Sequence, residues 1–255
     1  MPVVKQLSET SALIVGGTSG IGLACARHLI AAGVPRVTVA GRNAERGARA
    51  VQELGENARF IQCDASDAAQ TNVLAQKAHE AMGSLDLLLS CGGGDPMPAL
   101  LHKIAPEDLI PTINGVQAPI LHPAHAVLPY MTEQGGGTVL CIASDAGKLA
   151  TPGESAIGAA MASIAMFCRT MAIEAKRHGI RVNCLTPSIV QGTDLYDRLM
   201  GDDFAGKLFG KAEKMAALGV VTPEDIAEMV VFLASPAAAR VTGQTISITG
   251  GISAI

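Results

Sequence analysis

The clearest chemistry in the sequence lies between Gly16 and Gly22. Gly16, Gly20 and Gly22 stand in G-x-x-x-G-x-G spacing, with Gly17 beside the first and Thr18 and Ser19 between them as hydroxyl donors. Glycines so spaced let a backbone turn tightly and approach a pyrophosphate, whose charge then rests on the N–H groups that open a helix. A glycine cluster alone also fits an ordinary loop. Here Leu13, Ile14 and Val15 precede it as a buried strand, and 21–30, starting at Ile21, follows with helical periodicity, which is the context a phosphate cradle needs. Other residues have reactive types but weaker patterns. Asp145, Lys148 and Glu154 lie near Ser144 in sequence as candidate replacement acids or bases, but charged side chains are mostly exposed, so each is expected to be a solvated loop charge. His122 and His125, spaced i, i+3 around Pro123, and His102 beside Lys103 show no third ligand, so no metal site is expected. The methionines at 161, 166 and 171 read as packing residues of a core or subunit face.

The elements that position these residues alternate. Strands are expected at 34–40, 58–63, 85–90, 137–143, 180–185 and 244–249, after the first one ending at Val15. Helices are expected at 44–54, 67–82, 106–131, 158–178 and 223–234, with breaks or kinks near Pro111, Pro119, Pro123 and Pro129. A helical, mobile insertion on the substrate side is expected near 192–219. The stretch 85–90 is almost wholly apolar, as a strand covered on both faces should be. Alternation of this kind predicts an α/β fold, a doubly wound and mainly parallel sheet of about seven strands in a single domain over 1–255, with its ligand at the carboxyl ends of the strands.

Composition narrows the function. The chain has 255 residues, 49% hydrophobic and 16% charged, and a formal net charge of −4, with no run of Lys or Arg. A nucleic-acid surface is therefore not expected. The opening MPVVKQLSET has no signal-peptide pattern, no uninterrupted apolar run is long enough for a membrane span, and the six cysteines lie apart without C-x-x-C spacing. These features point to a cytoplasmic chain with buried free thiols.

VGGTSGIG at 15–22, Asp64 after the third strand, LDLLLSCGG at 85–93, Asn114, Ser144, GIRVNCLTPS at 179–188, VTPEDIAEMVVFLAS at 221–235 and TGQTISITGG at 242–251 follow one another in the order found in one family. The chain resembles the short-chain dehydrogenase/reductases over almost its whole length. That resemblance implies a nicotinamide cofactor, with contacts at Gly16, Thr18, Ser19, Gly20, Ile21, Gly22, Arg42, Asp64, Ala65, Cys91, Gly92, Pro187 and Val190. It implies catalytic roles for Ser144, whose hydroxyl would polarise a carbonyl, and for Asn114, which would support a water-linked proton route. The family's Tyr-x-x-x-Lys motif supplies the proton donor and the lysine charge that lowers its pKa. Counting forward from Ser144 and back from Ile180 puts that tyrosine position at Ile157 and the lysine at Met161. The only tyrosines, Tyr130 and Tyr196, have Gln134 and Met200 four residues on. The family's Asn-Asn-Ala-Gly is Ser90-Cys91-Gly92-Gly93 here, its threonine before the first glycine is Val15, and its Pro-Gly is Pro187-Ser188.

Arg42 follows Gly41, which stands where NAD-preferring relatives carry an acid. An arginine there can fork onto a 2′-phosphate, or it can be a surface residue starting a helix; the charge argument favours NADP(H) over NAD(H). Asp64 has two readings, an adenine-side contact or the cap of the next helix. Two classes of function follow. One is an oxidoreductase with altered machinery, acting on a carbonyl/alcohol or activated C=C substrate. The substrate would be a small apolar molecule if Ile157, Met161, Met97 and Leu100 line its pocket. The other is an inactive paralogue that binds nucleotide or serves as a partner subunit. The helices near 106–131 and 158–178 would build a homo-tetramer or dimer, or a hetero-oligomer with an active relative.

Overall fold

β1 (Ser11–Val15) is buried along its whole length, and its side chains divide strictly between two cores. Leu13 and Val15 join the cluster on one sheet face, Ala12 and Ile14 the cluster on the other, as the two-residue period of a strand requires. In the computed structural model, which describes residues 5–254, β1 lies third in a seven-stranded sheet of order β3-β2-β1-β4-β5-β6-β7, beside the central β4. Its partners are β2 (Arg36–Gly41), β3 (Ala58–Gln62), β4 (Leu87–Ser90), β5 (Gly137–Ile142), β6 (Ile180–Pro187) and β7 (Thr245–Ile248). Every neighbouring pair is parallel. The ends of the domain expected over 1–255 lie outside the described residues.

Helices cover both faces. α3 (Ala68–Met82), α4 (Pro106–Ala126) and α6 (Ser155–Ala175) pack on the face of Leu13, Leu88, Val139 and Val182. α1 (Gly20–Ala31), α2 (Ala44–Leu54) and α9 (Pro223–Ala234) cover the face of Ile14, Leu89, Leu140 and Leu185. Each of these large side chains contributes roughly 1.5–3 kcal/mol by leaving water. α7 (Asp194–Met200) and α8 (Ala205–Met215) form the insertion and carry a small core of their own around Leu199, Phe209 and Ile252. The order β3-β2-β1 runs one way from the centre and β4 begins the other way, so the crevice between the ends of β1 and β4 is the topological switch point.

The prolines of α4 act differently from the expected breaks. The helix continues through Pro111, Pro119 and Pro123, and the break falls only at Val127, before α5 (Leu128–Glu133) with Pro129 in its first turn. A proline removes the N–H that would bond four residues back. Pro119 thus frees the Gly115 carbonyl, which accepts from the Gly94 N–H at 3.1 Å. Pro123 frees the Pro119 carbonyl, which together with Ile120 O receives the Ser90 hydroxyl at 3.3 and 3.2 Å. Pro111 sits near the exposed start of the helix, where water can serve the Glu107 carbonyl. The tertiary structure thus supplies the donors that the prolines removed, and uses them to hold the loop after β4.

Candidate functional site

The glycine turn is shaped by contacts that no side chain could share. Gly16 has φ +82°, and a Cβ there would lie 2.6 Å from the Gly92 nitrogen. A Cβ on Gly22 would lie 2.2 Å from the Gly16 carbonyl oxygen. The Gly16 and Gly17 N–H groups both donate to Ala40 O, at 2.9 and 3.2 Å, which fixes the turn to the end of β2. Ser19 caps α1 without a side-chain hydrogen bond. The first turn of α1 therefore meets the crevice with its backbone N–H groups, and that is where an anion is best held.

This crevice is a cleft of about 790 Å³ running along the carboxyl ends of the strands. It brings together Gly16, Thr18, Ser19, Gly20, Ile21, Gly22, Arg42, Asp64, Ala65, Cys91, Gly92, Ser144, Ile157, Met161, Pro187 and Val190. Asn114 is not with them. It lies two residues from Val116, about 200° around the helix. Val116, Pro119 and Ile120 face the cleft, while Asn114 is exposed and accepts from the Gln117 side chain at 3.1 Å. Met97 and Ile157 line an adjoining hollow of about 460 Å³, and Leu100 lines neither space. The apolar wall comes instead from the insertion, through Leu195, Leu199, Leu208 and Phe209.

At the end of the cleft beside α2, Arg46 joins Arg42 in the wall from the first turn of that helix. Sequence reading missed it; the signal was the i, i+4 spacing from Arg42 at a helix start. Asp64 does not cap α3. That cap is Asp67, whose Oδ1 accepts from the Ala69 and Gln70 N–H groups at 2.8 and 3.1 Å. The Asp64 carboxylate accepts from the Ser66 hydroxyl and N–H, at 2.7 and 3.0 Å, and these bonds hold its pKa below the usual range. Cys91 donates its thiol to Val15 O at 3.0 Å, and burial pushes that thiol up to about 12, so it is no thiolate nucleophile at neutral pH.

Ser144 lies just past the end of β5 and caps a short 3₁₀ turn, its Oγ accepting from the Ala146 N–H at 3.2 Å. The charges after it are not solvated as expected. Asp145 is only 3% exposed and pairs with Lys148 at 3.7 Å, while Ser253 donates to its other oxygen. Lys148 in turn donates to Ser247 on β7. The turn is pressed so closely on α6 that a Cβ on Gly147 would lie 2.7 Å from the Ala162 nitrogen, and this draws both charges into the interior. Glu154, just before α6, is half-buried in the cleft wall, and burial raises its carboxyl to about 7. Tyr196 also lines the cleft, but its hydroxyl donates to Glu213, which raises the phenol pKa. All six thiols are free, five of them buried. Among the described residues no cluster of His, Cys, Asp or Glu has the makings of a metal site.

Comparison with known proteins places this architecture. A family model described as enoyl-(acyl carrier protein) reductase matches residues 15–253. The 3-oxoacyl-(acyl-carrier-protein) reductase FabG of Vibrio harveyi is 31% identical, over 97% of this chain and 98% of its own. Among solved structures, an NADPH-bound short chain oxidoreductase from Pseudomonas aeruginosa, described as containing an atypical catalytic center, superposes with a TM-score of 0.89. It is 27% identical, over 98% of this chain and 99% of its own. A 7α-hydroxysteroid dehydrogenase complexed with NADH and 7-oxo glycochenodeoxycholic acid gives a TM-score of 0.87 at 27% identity, over 96% and 95% of the two chains.

Proposed function

The chain belongs to the short-chain dehydrogenase/reductase family, and from that premise we propose that it is a nicotinamide-dependent oxidoreductase with altered catalytic machinery. The observation that carries this reading is one cleft that joins the glycine cradle to Ser144 while Ile157 and Met161 form its wall. A bound nicotinamide cofactor supplies or accepts hydride. The chain's own residues do the rest. The first turn of α1 holds the pyrophosphate, and Gly16 and Gly22 keep the space for it free of side chains. Arg42 and Arg46 offer two guanidinium groups to a 2′-phosphate, which supports NADP(H) over NAD(H). Asp64 and Ala65 meet the adenine end, and Cys91, Gly92, Pro187 and Val190 meet the nicotinamide half. Ser144 accepts a hydrogen bond from Ala146 and keeps its own proton to donate to a carbonyl oxygen.

The substrate class is a small apolar carbonyl, alcohol or activated C=C compound, since the insertion presents Leu195, Leu199, Leu208 and Phe209. Asn114 drops out of the proposed machinery, because it sits off the cleft. Met166 and Ile173 stand 58% and 63% exposed on α6, and this supports an oligomer formed through that helix. Six free thiols support the cytoplasm as its place. A second reading, an inactive nucleotide-binding subunit, is favoured by the absence of a tyrosine and lysine at 157 and 161 and by the outward Asn114.

One experiment separates the two. NADPH and NADH are titrated calorimetrically, and turnover is followed on ketone and enone panels for the wild type and for Ile157→Tyr with Met161→Lys. Nucleotide binding with turnover in the wild type supports the enzyme. Binding without turnover, converted to turnover by the double substitution, supports the inactive subunit. Absence of binding by either nucleotide would overturn both.

A further inference from the structure

We propose that the Glu154 carboxyl is the proton donor of this cleft, delivering its proton to the substrate oxygen as hydride reaches the carbonyl carbon. The proposal rests on the oxidoreductase reading above. It follows from asking which acid in the cleft is free to act beside Ser144.

Most of the acids there are committed elsewhere. Asp64 is bonded to Ser66 at the end of the cleft near Arg42. Burial raises the Asp95 carboxyl as well, but the Arg198 and Arg42 charges act on it to favour its ionised form. Asp145 is sealed against Lys148 and Ser253. Tyr196 spends its hydroxyl proton on Glu213.

Glu154 differs in position and surroundings. It occupies the N-cap of α6 without making a side-chain cap bond, and its backbone carbonyl takes the Gly158 N–H at 2.6 Å. It stands three residues before Ile157, so the two lie on neighbouring turns of one helix face, and both line the cleft. Ile157 and Met161 offer it no charge. Asp145 acts on it from the 3₁₀ turn after β5, and Thr151 from its own loop. Asp95 of the loop after β4, Asp194 of α7 and Lys211 of α8 line that cavity from facing elements, as do Arg42, Arg46 and Asp64.

The protonation state agrees with the placement. Burial raises the Glu154 carboxyl from its ordinary 4.5 to about 7, against a lowering by the Thr151 hydroxyl and with a lesser addition from the Asp145 charge. A substantial fraction is therefore protonated at neutral pH, the condition a general acid needs. In the reaction, the carbonyl carbon gains hydride from a reduced nicotinamide, which leaves oxidised. The π pair moves to oxygen, and that oxygen takes the Glu154 proton. The resulting carboxylate recovers a proton from water. Ser144 polarises the same oxygen, as in the reading above.

The test uses the full chain, Glu154→Gln and Glu154→Asp. Nicotinamide nucleotide affinity, ketone turnover against pH, and the Glu154 side-chain carboxyl resonance in ¹³C-glutamate-labelled protein are measured. The expected result is a loss in kcat of about 10²-fold or more in E154Q, with nucleotide affinity unchanged and partial recovery in E154D. Wild-type reduction should fall as pH rises through about 7, tracking a carboxyl resonance that titrates there and is missing from E154Q. Nucleotide binding with full turnover in E154Q, or a Glu154 resonance titrating in the ordinary carboxylate range, would overturn the assignment and leave the family reading intact. A wild type that binds no nicotinamide nucleotide, or binds it and reduces nothing, would overturn the oxidoreductase reading and this proposal with it.

Discussion

Gly22→Ala is the sharpest test of how the cradle is built. Gly22 is the third residue of α1, where alanine ordinarily stabilises a helix by about 1 kcal/mol relative to glycine. Here the added Cβ would lie 2.2 Å from the Gly16 carbonyl oxygen and 2.8 Å from the Cys91 sulfur, roughly 1 Å or more inside normal contact. The turn cannot retreat, because the Gly16 N–H is bonded to Ala40 O and Gly16 already abuts the Gly92 backbone. α1 must shift instead, at an overpacking cost of about 1–3 kcal/mol. The net expectation is a loss of up to about 2 kcal/mol, or a Tm lower by up to several degrees for a chain of this size. Moving the helix start also weakens the N–H groups offered to an anion, so nucleotide affinity should drop by about tenfold or more. Gly210→Ala is the control. It lies within α8, where an added Cβ would meet no atom within 4 Å, so only the helix gain of up to about 1 kcal/mol should appear. Urea unfolding and nucleotide titration on both variants measure the two effects. If Gly22→Ala were as stable as Gly210→Ala and bound NADPH like the wild type, the clash reasoning would be wrong.

Arg42→Asp should weaken NADPH by about 10- to 100-fold, the worth of one charge-assisted phosphate contact, and leave NADH nearly unchanged in calorimetry. Glu154 also makes stability depend on pH. Its folded pKa of about 7 lies above the ordinary 4.5, so its contribution is fully present below about 4.5 and is lost as pH rises through 7. The loss is on the order of 3 kcal/mol, and the Tm advantage of Glu154→Gln over wild type should accordingly be small near pH 4.5 and largest above pH 7.

What the sequence determined by itself was what the chain records locally. Strand and helix periods placed all seven strands and the main helices within a few residues, and α2 and α9 fall where 44–54 and 223–234 were expected. The glycine spacing marked the turn, because positive φ and close approach exclude side chains at Gly16 and Gly22 wherever the rest of the chain goes. Tertiary structure decided the matters that depend on distant partners. Whether Pro119 and Pro123 break α4 depended on Ser90 at the end of β4 and Gly94 in the loop after it arriving to bond the carbonyls those prolines free. Whether Asp145 and Lys148 meet water depended on Ser247 and Ser253, about a hundred residues further along the chain. Asn114 adjoins Gly115 and Val116, which line the cleft, yet it is exposed and turned about 200° around the helix from Val116. Arg46 and Glu154 entered the site because packing set the helix starts that bear them against the cleft. A residue's type and spacing fix its local conformation; its solvent, its charge state and its neighbours are set by which surfaces the fold presses together.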